Sequence, residues 1–174
     1  NIENPKIGLL NNGTEETKGN DLMKESYKLL KESANDYGFN FYGNIEGRDA
    51  FSGKIDAVVT DGFTGNIFLK TTEGVGKMVK SNLKKEAGRS IFSKISLLPA
   101  MPIIKRFAKS MDYKEYGGAL FLGVKKPVIK AHGSSDEKLF VYTLKQAEKF
   151  VNDKTVDNII EKYATLNETE DAVK

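Results

Sequence analysis

Three short apolar runs, KIGLL (Lys6–Leu10), FNFYG (Phe39–Gly43) and IDAVVT (Ile55–Thr60), are interspersed with two stretches of helical periodicity, one after the first run and one after the third, and that arrangement constrains the fold more than any other feature. Between the first two runs, Leu22, Met23, Tyr27, Leu29, Leu30 and Ala34 recur at helical spacing among lysines and glutamates, which predicts an amphipathic helix over Asp21–Asn35. IDAVVT is nearly uninterrupted in β-branched and apolar residues and reads as a buried strand, with a long helix after it over Asn66–Ala87. Strands separated by helices pair in parallel, since each crossover returns over a face of the sheet. The expected fold is therefore α/β, three-layer α/β/α, with a largely parallel sheet covered on both faces. Beyond Gly117, GGALFLGV and PVIKA add two short apolar runs, and SSDEKLFVYTLKQAEKFV carries a helix that Ser135 is placed to cap. A last helix begins near Thr155 and frays through NETEDAVK. With 174 residues, 39% of them apolar, and no repeat or low-complexity linker, one α/β domain over 1–174 is expected.

Composition removes several classes of function. The absence of cysteine excludes disulfides and thiolate metal sites and suits a reducing compartment. One histidine, His132, puts a clustered histidine metal site out of reach. A formal charge of +3 is too small to imply nucleic acid. No apolar run reaches the ~18 residues of a spanning helix, and the amino end, NIENPKIGLL, has neither a charged signal region nor an initiator methionine.

The loops after the strands carry the chemistry. A turn from the carboxyl end of a parallel strand into a helix offers backbone N–H groups and the positive end of the helix dipole, where anions settle. In DGFTGN (Asp61–Asn66), Gly62 and Gly65 allow close backbone approach, while Thr64 and Asn66 offer short polar side chains to phosphate oxygens or to the helix end. A tight turn capped by Asn66 is the alternative. Neither GxGxxG nor a GK[ST] loop is present, which argues against a nucleotide, and no GxSxG elbow supports a serine hydrolase. NNGTEETKG (Asn11–Gly19) follows the first strand and adds Lys18 as a cation. AHGSS (Ala131–Ser135) follows a later strand and brings His132 beside two serines, either as a catalytic group or as a structural one. Loops at the carboxyl ends of an open α/β sheet converge on one crevice.

Residues 87–111, AGRSIFSKISLLPAMPIIKRFAKSM, contain no aspartate or glutamate. Arg89, Lys94, Lys105, Arg106 and Lys109 flank apolar positions that include Leu97, Leu98, Met101 and Ile103, and Pro99 and Pro102 break the middle. The pattern predicts a projecting helical hairpin over 88–112 with an apolar tip. Such a tip suits an anionic bilayer surface or an acidic protein partner; core packing or a dimer contact is the alternative.

Taken in order, LLNNGTEETKGN, FYGNIEGRDAFSGKIDAVVTDGFTGNIFLKTTEGVGK and GGALFLGVKKPVIKAHGSSD resemble the phosphate acyltransferases of bacterial phospholipid synthesis, the PlsX family, from Pro5 to Ala147. The resemblance implies an isopropylmalate-dehydrogenase-like fold and transfer of a long-chain acyl group from acyl carrier protein to inorganic phosphate. That transfer requires no metal, and no cofactor is expected. It further implies a cytoplasmic enzyme peripherally associated with the inner face of the plasma membrane, beside an integral glycerol-3-phosphate acyltransferase. A homodimer is expected from the long helix as well as from the family. On this reading Asp61, Gly62, Thr64, Gly65 and Asn66 form one wall of the site, Asn12, Gly13, Thr14 and Lys18 another, and His132, Gly133 and Ser134 close it. Lys18 stabilises charge, and His132 orients phosphate or protonates the leaving thiolate. Where the family more often reads LLNIGEEETKG, Asn12 and Thr14 replace an apolar residue and an acid, and GGALFLG stands for GGAPLLG. Family members are longer and carry a DAMGGD-like loop, so the chain reads as a carboxyl-terminal half, inactive alone. The alternatives are a phosphotransacetylase acting on acyl-coenzyme A and a non-catalytic peripheral lipid-binding module.

Overall fold

The computed structural model describes residues 2–110, 118–131, 133 and 135–171, and the side chains among them other than those of 93–94, 108–110 and 166–171. The chain forms two compact units, Asn1–Ser93 and Lys94–Lys174.

In the first unit, β1 (Lys6–Leu10), α1 (Asp21–Tyr37), β2 (Asn40–Ile45), a 3-10 turn (Asp49–Phe51), β3 (Ala57–Val59) and α2 (Gly62–Gly88) follow one another. The strands form a parallel sheet in the order β2-β1-β3, with α1 making the crossover from β1 to β2 and only the 3-10 turn lying between β2 and β3. Leu9 and Ile45, at 1% and 0% exposure, are its most buried apolar residues, joined by Leu10 of β1 and Met23 of α1. Full burial of such a side chain stabilises a fold by about 1.5–3 kcal/mol. Asn20 caps α1 by accepting from the Met23 N–H, and Gly38 ends it in the left-handed region at φ 70°, donating to the Ala34 carbonyl.

Strand boundaries differ from expectation in two places. β2 extends past Gly43 to Ile45, although Gly-Asn reads as turn punctuation. Its register against β1 shifts from Ile7↔Phe41 to Gly8↔Gly43, which leaves Tyr42 as an extra residue, and Gly43 takes φ 105° at this bulge. β3 is shorter than IDAVVT, and it is not the buried strand expected: Ala57 and Val59 are exposed. As the last strand in the order it pairs on one side only.

The second unit contains β4 (Gly118–Leu120), β5 (Ile129–Ala131), α5 (Glu137–Asn152) and α6 (Thr155–Asp171). β4 and β5 are antiparallel, because the connection through residues 121–128 is too short for the dozen or so residues that a parallel crossover needs. Gln146 of α5 accepts from the Gly118 N–H at 2.9 Å and donates to the Gly118 carbonyl at 3.1 Å, completing the strand's hydrogen bonding. Asp136, rather than Ser135, caps α5 through the Leu139 N–H. Leu139, Thr143 and Val156 are the buried residues of α5 and α6 among those described. Between α2 and β4 lie α3 (Ile91–Leu97), a 3-10 turn (Leu98–Ala100) and α4 (Met101–Ser110). Both prolines of this stretch sit in a first turn, where no helical N–H is lost.

Candidate functional site

Parallel pairing aligns the carboxyl ends of β1, β2 and β3. Leu10 lies opposite Ile45 and Leu9 opposite Val59, so the loops 11–20, 46–56 and 60–61 all leave from one edge of the sheet. Two of the three loops read from sequence as site loops are thereby brought to one edge.

Loop 11–20 is held by its own polar groups. The Asn11 N–H donates to the Ile45 carbonyl at 2.8 Å, and the Asn11 amide Nδ2 closes the loop by donating to the Lys18 carbonyl at 3.1 Å. From β2, Asn44 Nδ2 donates to the Glu15 carbonyl at 2.8 Å. From α1, Lys31 Nζ and the Tyr27 hydroxyl both donate to Glu16 Oε1, at 2.7 and 2.9 Å. The Lys31 hydrogen bond is the main reason that the Glu16 carboxyl is held below its ordinary range, and the same bond raises the Lys31 ammonium. Tyr27 is raised, first by burial and then by Glu16. The loop ends at Gly19, which takes φ 87° and has no room for a side chain: a Cβ there lies 2.7 Å from both Asn11 Oδ1 and Met23 Cβ. The Lys18 stem packs over the buried Gly13, since a Cβ on Gly13 meets Lys18 Cγ at 3.0 Å and Glu15 Oε2 at 2.9 Å. Asn12, Thr14 and Lys18 are exposed, and among the described residues the Lys18 ammonium has no ion-pair partner.

The Asp61–Asn66 turn differs from expectation. α2 starts at Gly62 rather than Asn66, so the glycine-bearing segment is the helix's first turn. Its cap is Asp61, whose Oδ1 accepts from the Phe63 and Thr64 N–H groups at 2.9 and 2.8 Å. Two of the N–H groups expected to face an anion are thus occupied by the chain's own carboxylate. Gly65 serves packing, with a Cβ there lying 2.5 Å from Thr60 Cγ2, whereas Gly62 has open space around it. Thr64 holds the Asp61 carboxyl below its ordinary value, first through its side chain and then through its N–H. The stabilisation Asp61 lends the helix start is complete above its ordinary value of 3.8 and is lost as pH falls through the lower folded value. Asp61→Asn keeps a capping oxygen that does not titrate. Amide exchange at 62–66 is expected to accelerate in acid in the parent and much less in the variant; equal acid sensitivity would contradict this role for Asp61.

The neighbouring 46–56 loop contributes Arg48, which pairs with Glu46 at 2.5 Å and reaches Asp49 at 4.0 Å. Phe51 stacks on Phe68 of α2 at 5.5 Å, tying this loop to the helix whose cap is Asp61. Sequence reading did not single out Asn11, Asn44 or Arg48 for the site. A polar Asn44 where a strand end should bury an apolar residue was the available signal.

The third loop is less fully described. Gly133 lies in a turn after β5, while His132 and Ser134 fall outside the described residues. β5 belongs to the antiparallel pair of the second unit and not to the parallel sheet. In the basic segment, Leu98 and Ile103 are strongly exposed, Arg89, Lys105 and Arg106 are exposed, Met101 is only marginally so at 38%, and Leu97 is half-buried. Arg89 pairs with Glu86 at 3.3 Å. The side chains of Lys94 and Lys109 fall outside those described. No group of three His, Cys, Asp or Glu side chains able to hold a metal ion occurs among the described residues.

Comparison with known sequences matches residues 1–158 to the profile of a family described as fatty acid synthesis protein. Relatives named phosphate acyltransferase include one from Thermoanaerobacter pseudethanolicus, 46% identical over 96% of this chain and 49% of the relative. Another, from Clostridium novyi, is 50% identical over 91% of this chain and 47% of its own length. A third, from Clostridium acetobutylicum, is 48% identical over 95% and 49%. The chain spans about half the length of these relatives.

Proposed function

The chain belongs to the fatty acid synthesis protein family, and from that premise we propose that it serves an acyl-carrier-protein:phosphate acyltransferase. A phosphate oxygen attacks the thioester carbonyl carbon of the acyl carrier protein, the oxyanion collapses, and the C–S bond breaks. The products are an acyl phosphate and the carrier thiol, with the phosphate proton passing to sulfur. The site must neutralise an anionic nucleophile and a developing oxyanion, which calls for fixed donors and a cation. The match to phosphate acyltransferases over more than nine-tenths of the chain carries this reading.

Loop 11–20 supports the assignment, because it presents an ammonium that has no ion-pair partner among the described residues, on a closed, hydrogen-bonded frame. We assign Lys18, with Asn12, Gly13 and Thr14, to phosphate and oxyanion stabilisation. Asp61, Gly62, Thr64, Gly65 and Asn66 form the adjoining wall, where Asp61 accepts a hydrogen bond from protonated phosphate instead of leaving the helix end to the anion. To His132, Gly133 and Ser134 we assign, on the family resemblance, the remaining part of the site, with His132 protonating the thiolate or orienting phosphate. The test is hydroxylamine trapping of acyl phosphate by the whole protein, with acyl carrier protein and coenzyme A donors in parallel. Acyl hydroxamate from the carrier donor is expected. Product from coenzyme A alone would assign a phosphotransacetylase instead, and neither product, with no phosphate binding by calorimetry, would leave a lipid-binding module.

Residues 88–112 we assign to a projecting hairpin that meets the inner membrane surface, on a fold of isopropylmalate-dehydrogenase type. Exposed Ile91, Phe92, Leu98 and Ile103 beside Arg89, Lys105 and Arg106 support an interfacial role, and no described helix is long and apolar enough to cross a membrane. Acyl carrier protein is the alternative partner for these cations, an integral glycerol-3-phosphate acyltransferase the consumer of the product, and a homodimer the assembly. Replacing Leu97, Leu98 and Met101 together by glutamate is expected to abolish flotation with anionic vesicles. Undiminished flotation would remove the lipid role.

A further inference from the structure

The end of β2 grips loop 11–20 at two points: the Ile45 carbonyl accepts from the Asn11 N–H, and Asn44 Nδ2 donates to the Glu15 carbonyl. Asn44 is 4% exposed, and its Oδ1 is buried without a hydrogen-bond partner among the described residues. A leucine, branched in the same way at Cγ, would carry no unsatisfied acceptor there, so an asparagine is not the residue that burial alone favours at this position. Its distinctive contribution is its side-chain bond to a carbonyl three residues before Lys18. The same stretch contains the turn in which the Lys18 N–H donates to the Glu15 carbonyl at 3.1 Å. Both donors therefore converge on one oxygen, and the position of that oxygen sets where the Lys18 stem leaves the loop. Tyr27 and Lys31 hold the adjacent Glu16 from the α1 side, but through exposed groups that water can replace. The Asn44 bond is the more shielded of these, because its donor is buried.

We propose that Asn44 is a positioning residue, which holds the Glu15 carbonyl so that loop 11–20 presents Lys18 in a fixed place. Its kinetic consequences rest on the acyltransfer reading above; its effect on the loop does not. Two variants separate the donor from the volume. In Asn44→Asp, an ionised carboxylate faces the Glu15 carbonyl and repels it, whereas the protonated acid donates its O–H and restores the bond. Burial and the facing carbonyl raise that carboxyl above the usual ~3.9. In Asn44→Leu, the branched outline remains, with larger methyl groups at its ends, and no donor exists at any pH.

In the whole protein, both variants are expected to lower kcat about 100-fold at pH 8, with KM for the acyl carrier protein donor little changed, since displacement of about 1 Å can cost that much. Relative to the parent, Asn44→Asp recovers most of this loss as pH falls toward 5.5, and Asn44→Leu recovers none. Asn44→Leu still melts cooperatively well above the assay temperature, even if lower than the parent because of its larger side chain, so its loss of rate is not loss of fold. Amide exchange at 11–20 is faster in both variants at pH 8, while exchange within β1 and β2 is unchanged. Unaltered exchange at 11–20, or identical pH profiles for the two variants, overturns the proposal. If the parent itself forms no acyl phosphate, the acyltransfer reading fails, and the exchange measurement still decides the role of Asn44.

Discussion

Lys18→Ala is expected to lower the rate of acyl phosphate formation by about 100- to 1000-fold, the usual cost of removing one positioned oxyanion-stabilising group. The melting transition should remain, because the ammonium is exposed and has no ion-pair partner among the described residues. The effect should fall on kcat more than on KM for the acyl donor. Charge develops on the carbonyl oxygen only as the phosphate attacks, so a cation there binds the transition state more tightly than the ground state. Lys18→Arg should recover little, since the guanidinium is broader and the stem lies tightly over Gly13, with 3.0 Å to Cγ from an ideal Cβ. Single-turnover kinetics on the whole protein measure this directly. Turnover within a few-fold of the parent in Lys18→Ala would remove Lys18 from the catalytic set.

The largest effect on stability is expected at Ile45. At 0% exposure its side chain fills the space beside Gly8 of the central strand, and Ile45→Ala should cost about 2–5 kcal/mol in chemical denaturation. The reciprocal change is informative. A Cβ on Gly8 lies 2.8–3.0 Å from Cδ1, Cγ2 and Cγ1 of Ile45, so Gly8→Ala overpacks the same space, at about 1–3 kcal/mol. The double variant should lose clearly less than the sum of the singles, because the methyl added at one position occupies volume vacated at the other. Strict additivity would show that the two residues do not share a packing site. The consequence reaches the candidate site, since Ile45 also supplies the carbonyl that receives Asn11 at the start of loop 11–20.

Much of the first unit was legible from local pattern. The period of α1, the runs that became β1 and β3 and the parallel pairing follow from spacing and alternation, which act over a few residues. Misreadings occurred where a polar or glycine residue had a tertiary reason. Gly43 and Asn44 look like the end of a strand, yet a bulge keeps them in the sheet, and the buried environment that retains Asn44 comes from a loop 29 residues away in sequence. Likewise the helix cap at Asp61 depends on a carboxylate turning back onto Phe63 and Thr64, a choice among Asp61, Thr64 and Asn66 that composition leaves open.

From sequence alone came the α/β class, the order of strands and helices, the polar loops that follow the strands and the family resemblance, because hydrophobic period and motif order are written along the chain. The tertiary structure alone decided that the first turn of α2 is already filled by an internal carboxylate. It alone showed that β4 and β5 pair antiparallel, and that Asn44 and Ile45 hold the Lys18 loop. Those outcomes depend on which distant groups meet in space, where one buried hydrogen bond or one methyl group outweighs local preference.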